Sequence, residues 1–182
     1  MLIKSHRLCS MAIVEAGLIA SNIYLKSPSS DILLLLATGI GAGLPDIDHH
    51  NSTVSRKSPI NFSLFLRHRG ITHTILGWLI FTGVLYFLMN LVIPIQLRPF
   101  KFDPWNSIWL GLSIGYFLHL LEDSFSTQGV NWLMPFHKVN TRGHFLRYKV
   151  GGPFEKSIAF LAFVAILMMT AYALGKILML DI

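Results

Sequence analysis

His68-Arg69-Gly70-Ile71-Thr72-His73-Thr74-Ile75-Leu76-Gly77-Trp78-Leu79-Ile80-Phe81 opens a stretch in which, after Arg69, no Asp, Glu, Lys or Arg occurs until Arg98. Its apolar part, from about Ile71 to Ile95 with Pro94 near its end, exceeds the ~20 residues that a helix needs to cross a hydrocarbon core. Two further runs, from about Trp105 to Leu121 and from Ile158 to Leu180, read as spans of the same kind. A bilayer offers the backbone no water, so such runs must satisfy their own hydrogen bonds as helices. Composition agrees: 53% of residues are hydrophobic and only 13% charged, about half the usual ~25% of a soluble domain. A soluble protein of 182 residues could not cover its exterior with so few charges.

Ahead of these spans lie two weaker apolar segments. Leu8 to Leu25 contains Ser10, Glu15, Gly17, Ser21 and Asn22, and Ile32 to Leu44 is short and holds Gly39, Gly41 and Gly43. Joined by the turn from Lys26 to Asp31, they read as a packed helical hairpin shielded by the other helices, or as a re-entrant pair. The expected fold is therefore an all-α integral membrane bundle of about five helices, forming one domain over residues 1–182.

Charge sets its orientation. With five crossings, eleven of the fifteen Lys and Arg fall on one side, and only Lys26, Arg98, Lys101 and Lys176 on the other. The positive-inside bias makes the first side cytoplasmic, with the N-terminus in and the C-terminus out. All eight histidines (His6, His49, His50, His68, His73, His119, His137 and His144) fall on or beside that same side, as do Asp46, Asp48, Glu122, Asp123 and Glu155. Ionisable groups near membrane depth are costly and mark function. Lys4 and Arg7 ahead of an apolar run resemble a signal peptide's start, but no clear small-x-small cleavage site follows within a suitable distance, so the segment is expected to be retained.

Several function classes are excluded or disfavoured. The net charge of +6 comes from connectors between apolar runs, not from the clustered soluble element of a nucleic-acid-binding module. A single cysteine, Cys9, excludes an intramolecular disulfide. The sequence holds no His-Glu-x-x-His and no Gly-x-x-x-x-Gly-Lys-Ser or -Thr phosphate loop, and its Gly111-Leu112-Ser113-Ile114-Gly115, although it matches Gly-x-Ser-x-Gly, lies inside an apolar run and not on a strand-to-helix elbow.

Three clusters carry the chemistry. Leu44-Pro45-Asp46-Ile47-Asp48-His49-His50 ends the second segment. Two carboxylates two apart cannot share one face of a regular helix, but a turn begun by Pro45 can bring both to a cation; the plain alternative is a cap that returns the chain to water. In His68-Arg69-Gly70-Ile71-Thr72-His73, Gly70 frees the backbone between two imidazoles, and neutral His is the commonest metal ligand. Thr72 would cap the helix or orient an imidazole. Arg69 suits a bidentate grip on phosphate or carboxylate, against the alternative of a basic patch for anionic headgroups. His119-Leu120-Leu121-Glu122-Asp123 places His and Asp four apart on one helical face, where they can bind one metal or let the carboxylate bridge two. Glu122, about 100° away from Asp123, is expected in water. His6 and Glu155 lie at a depth where they could join the site, and Glu15, if buried, needs a partner. The stretch 124–153 is too long for a simple connector and reads either as an interfacial flap or as a basic loop.

The order His6, Leu44-Pro45-Asp46-Ile47-Asp48-His49, His68-Arg69-Gly70-Ile71-Thr72-His73, Gly115-Tyr116-Phe117-Leu118-His119 to Asp123, Thr127-Gln128-Gly129-Val130, and Gly152-Pro153-Phe154-Glu155-Lys156 resembles the bacterial inner-membrane metal-dependent hydrolases of the YdjM type over nearly the whole chain. That family is grouped, more distantly, with the zinc-dependent phospholipase C and P1 nuclease proteins, soluble all-α enzymes that hydrolyse phosphodiesters at a zinc cluster. The resemblance implies ligands among His6, Asp46 or Asp48, His68 or His73, His119 and Asp123. The soluble enzymes add a second His-x-x-x-Asp or His-x-x-x-Glu, whereas here His137 is followed by Thr141 and His144 by Tyr148. One or two ions are therefore expected in place of three.

Together these imply a multi-pass protein of the bacterial inner membrane that hydrolyses a phosphodiester or phospholipid-like substrate at the cytoplasmic face. Membrane lipids are the expected partners and nucleic acid is not. Zinc, or manganese, suits a mixed imidazole and carboxylate shell, with His6, Asp46, Asp48, His68, His73, His119 and Asp123 as metal ligands, Asp123 bridging, and Arg69 stabilising developing negative charge. The alternative from another class is a non-enzymatic membrane protein that binds or transports a divalent metal. A third is a structural factor stapled by a closed metal site.

Overall fold

A computed structural model of the chain describes residues 1–24, 27–48, 70–95, 103–136 and 147–180; within the helical part of this set the side chains of Asp48, Ile177 and Leu180 are excepted. Among the described residues the protein is all-α, with five helices: α1 (Ile3–Ala20), α2 (Pro28–Gly41), α3 (Ile75–Val92), α4 (Pro104–Ser124) and α5 (Pro153–Leu180). Only a single bridge, between Ser126 and Tyr148, has strand-type pairing there.

Local chemistry sets the boundaries. Pro28 and Pro104 open α2 and α4 where a missing N–H costs nothing. Asp103 caps α4 by accepting from Asn106 N at 2.8 Å, and Thr74 caps α3 by accepting from Gly77 N at 3.0 Å. Capping at Thr74 moves the start of α3 beyond the run beginning at Ile71. Residues Ile71–His73 form a separate 3-10 turn, and Thr74 is extended, with φ −129° and ψ 160°. A second 3-10 turn, Pro45–Asp48, follows α2, as the proline led us to expect.

The helix α4 is the axis of the bundle. It packs most extensively against α2 and also touches α1 and α3, while α1 lies against α5 and α2. Glycines make the α2–α4 approach possible: a Cβ on Gly115 would sit 2.1 Å from Thr38 O, and one on Gly111 would sit 2.5 Å from Leu34 O. Small residues four apart on one face are how membrane helices bring their backbones together. His119 and Asp123 continue the same four-residue spacing, so the face that seats α2 leads into the histidine cluster.

Three stretches are long and apolar enough to cross a membrane: Pro28–Ile47, Ile75–Val92 and Pro153–Lys176. The segment from Trp105 to Leu121 is not among them, and the Ile32–Leu44 segment, which reads as weak in sequence, is. The physical reason is burial. Asn106, Ser107, Ser113, Tyr116, His119, Glu122 and Asp123 of α4 are all enclosed by neighbouring helices, so this helix does not need a lipid-compatible surface. By contrast α3 and α5 are barely buried, and Phe87, Leu91, Phe160, Leu161 and Met168 face outward.

Candidate metal centre

The break before α3 turns His73 inward, and the end of α2 delivers Asp46 to the same place. His73 Nε2 and Asp46 Oδ1 are 3.8 Å apart, His119 Nε2 is 3.8 Å from Asp46 Oδ1, and the Nε2 atoms of His119 and His73 are 3.4 Å apart. On the other side of His119 stands His6, its ring stacked on that of His119 with centroids 3.9 Å apart. His6 Nε2 lies 3.3 Å from Asp123 Oδ1, and Asp123 Oδ2 lies 4.0 Å from His119 Nε2. Two overlapping triads result, His6–His119–Asp123 and Asp46–His73–His119. All the imidazoles and Asp123 are buried, and Asp46 keeps 19% of its side chain exposed, giving the cluster one wet edge.

The outer nitrogen of each ring is held by a neighbour. His119 Nδ1 donates to Ala42 O at 2.7 Å, and because a carbonyl only accepts, Nδ1 carries the hydrogen and the neutral ring keeps its lone pair on Nε2. His6 Nδ1 donates to Glu122 Oε2 at 2.5 Å, and Glu122 also accepts from Ser10 Oγ at 3.0 Å. Thr72 Oγ1 lies 3.2 Å from His73 Nδ1. An Nδ1 fixed by an acceptor is the usual support of a histidine that ligates through Nε2.

This donor set fits a divalent ion. His6 Nε2 is fully buried and makes no hydrogen bond among the described residues, although it faces a carboxylate oxygen. Donors sharing a tetrahedral ion at bonds of about 2.0–2.1 Å stand about 3.4 Å apart; the contacts given above run from 3.3 to 4.0 Å, and within each triad one ligand atom per residue lies within 4.8 Å of the others. His119 offers a single lone pair, so the two triads cannot each take an ion through it. Asp123, with Oδ1 beside His6 and Oδ2 4.0 Å from the shared His119, is the group able to join them. Its Oδ1 also lies 2.7 Å from the α-amino group of Met1.

Some residues singled out from sequence fall elsewhere. His68, Arg69, His49, His50, His137 and His144 lie outside the described residues, as does the side chain of Asp48. Glu155 is buried but serves the scaffold, accepting from Leu2 N at 2.6 Å and Gly151 N at 2.8 Å. Glu15, between α1 and α5, accepts from Tyr24 OH at 2.9 Å and Thr170 Oγ1 at 2.7 Å. Glu122 corrects the sequence reading: it is buried, not solvated. It does point away from Asp123, but α1 occupies that direction, and His6 sits between the two carboxylates. Thr74, not Thr72, caps the helix.

Over this end of the bundle the chain after α4 is pinned down. Tyr148 OH donates to Glu122 O at 2.8 Å, Trp132 Nε1 donates to Ser124 Oγ at 2.8 Å, and Ile75 N donates to Trp132 O at 3.0 Å. Phe125, Leu133 and Phe136 of this segment are exposed.

A helical bundle with lipid-compatible faces and a buried histidine–aspartate cluster at helix ends defines the class as an integral membrane protein with a candidate metal centre. Residues 1–179 match the family described as YdjM inner membrane protein, and the chain belongs to that family. It is also 34% identical over 109 residues to a protein of Bacillus subtilis (strain 168) named "Uncharacterized protein YvsG"; the match covers 58% of this chain and 59% of that protein. No solved structure matches.

Proposed function

We propose that this protein is a membrane-bound, metal-dependent hydrolase acting on a phosphodiester or phospholipid-like substrate at the cytoplasmic face of the inner membrane. The observation that supports it is the convergence of His6, Asp46, His73, His119 and Asp123 from four separate segments, with histidine Nδ1 atoms engaged by acceptors outside the cluster. Zinc is the first choice for this mixed shell and manganese the second. Asp46, His73 and His119 would hold one ion, and Asp123 with His6 would complete the shell or hold a second. When bound, such an ion supplies Lewis acidity and a source of hydroxide at neutral pH.

The protein's own groups do the rest. Asp46, the exposed member, marks where substrate and water reach the cluster. Asp123 is the catalytic carboxylate of the proposal, close enough to both triads to keep them in register. Arg69, two residues before the turn that carries His73, is assigned to the negative charge that develops on a phosphoryl or acyl oxygen. Distant kinship with zinc-dependent phospholipase C and P1 nuclease is part of the same proposal and favours a phosphodiester. An ion carrier would place its ligands near the bilayer midplane, whereas these stand at helix ends, which favours the enzyme.

Detergent-purified protein should contain near-stoichiometric zinc or manganese by elemental analysis and should hydrolyse at least one member of a panel of phosphodiesters and phospholipids. His119→Ala and Asp123→Ala should insert normally and lose both properties. Full metal content in both variants would refute the site. Metal without hydrolysis, together with metal uptake into vesicles, would replace the enzyme with a carrier.

A further inference from the structure

Two adjacent residues of α4 straddle one ring. Glu122 Oε2 accepts from His6 Nδ1 at 2.5 Å, and Asp123 Oδ1 faces His6 Nε2 from 3.3 Å. Consecutive helical side chains diverge by about 100°, which suits opposite edges of an imidazole lying against the helix. Glu122 is itself steered by Ser10, one turn beyond His6 on α1, whose hydroxyl donates to Oε1 at 3.0 Å. His6 is wholly buried and Glu122 is 8% exposed. A carboxylate taken out of water costs stability unless its acceptors are used, and here both oxygens are used, one of them on the ring. Ordinary packing would be served by an apolar side chain at position 122. The atom left over is His6 Nε2, buried and without a hydrogen bond among the described residues, aimed at the carboxylate of the cluster.

We propose that Glu122 is a positioning residue: it fixes the tautomer and direction of His6, so that Nε2 is presented to the ion held with Asp123. This rests on the metal-centre reading above and adds a residue to it. His119 Nδ1 donates to a backbone carbonyl, whereas His6 Nδ1 donates to a carboxylate, and a negatively charged acceptor raises the basicity of the ligating nitrogen. The assignment makes the His6 half of the centre depend on Glu122 and Ser10, neither of which touches the ion.

The test is a zinc affinity measurement by chelator competition on full-length, detergent-purified protein, apo and reloaded with zinc alone. Glu122→Leu, which removes the acceptor, should weaken zinc binding by about 10–100-fold. Glu122→Gln, whose carbonyl can still accept from Nδ1, should recover part of that loss. In a His6→Ala background, either substitution should change affinity by less than about twofold, since groups acting through one another are not additive. Should the leucine variant fail to accumulate, the cycle of Glu122→Gln with His6→Ala carries the same test. Parent-like affinity in the Glu122 variants, or an equal loss with and without His6, overturns the inference and leaves the metal centre standing. A parent protein that binds no zinc or manganese overturns both.

Discussion

Glu155 shows what a buried carboxylate does when it serves the scaffold. Its two oxygens accept backbone N–H groups of Leu2 and Gly151, tying the entry to α1 to the entry to α5. Glu155→Gln would turn an NH2 toward one of those donors, and a buried donor left without its acceptor costs ~1–3 kcal/mol. Thermal unfolding in detergent should therefore fall, and an unchanged transition would contradict the role. The same residue type behaves differently at positions 15, 122 and 155, and sequence distinguished them unequally. That Glu15 needs donors follows from its apolar surroundings, and Tyr24 and Thr170 supply them. That Glu122 meets His6 does not follow, because a helical wheel gives the direction of a side chain and not the neighbour waiting there.

Helix α4 carries the longest chain of consequence. Gly111 and Gly115 let α2 lie against it, and that approach sets Ala42 O 2.7 Å from His119 Nδ1. Gly115→Val would press a side chain onto Thr38 O, where even a Cβ would be 2.1 Å away. Overpacking of this kind costs ~1–3 kcal/mol, and it should also weaken metal binding by moving the carbonyl that orients His119. Thermal unfolding and zinc titration of the variant check both; lost stability with unaltered affinity would uncouple the glycine from the site. The His-x-x-x-Asp spacing on this helix was legible in the sequence because it depends on helical geometry alone. The enclosure of α4 was not, since it depends on which helices the neighbouring segments choose as partners, and the run from Trp105 to Leu121 read as a span like the other two.

For the molecule as a whole, the charge asymmetry predicts an arrangement across the membrane. With five crossings, eleven of the fifteen Lys and Arg would lie on the side of the histidine cluster, so reporters fused at the two ends should report a cytoplasmic N-terminus and an external C-terminus. The reverse result would put the candidate site on the outer face and sink a cytosolic substrate. The bundle, its helix number and its lipid-compatible faces were legible from apolar run length; the meeting of His6, Asp46, His73, His119 and Asp123 needed three dimensions. Trp132 donates to the hydroxyl next to Asp123, its ring stands 5.8 Å from Phe117, and Phe117 stands 5.3 Å from Trp78. Trp105 and Trp109 belong to the opposite end of a helix about 30 Å long. Of the four indoles, Trp132 thus stands nearest the cluster in the chain of contacts and Trp105 and Trp109 stand remote from it, so a change in intrinsic fluorescence on adding zinc is expected from the first and not from the other two.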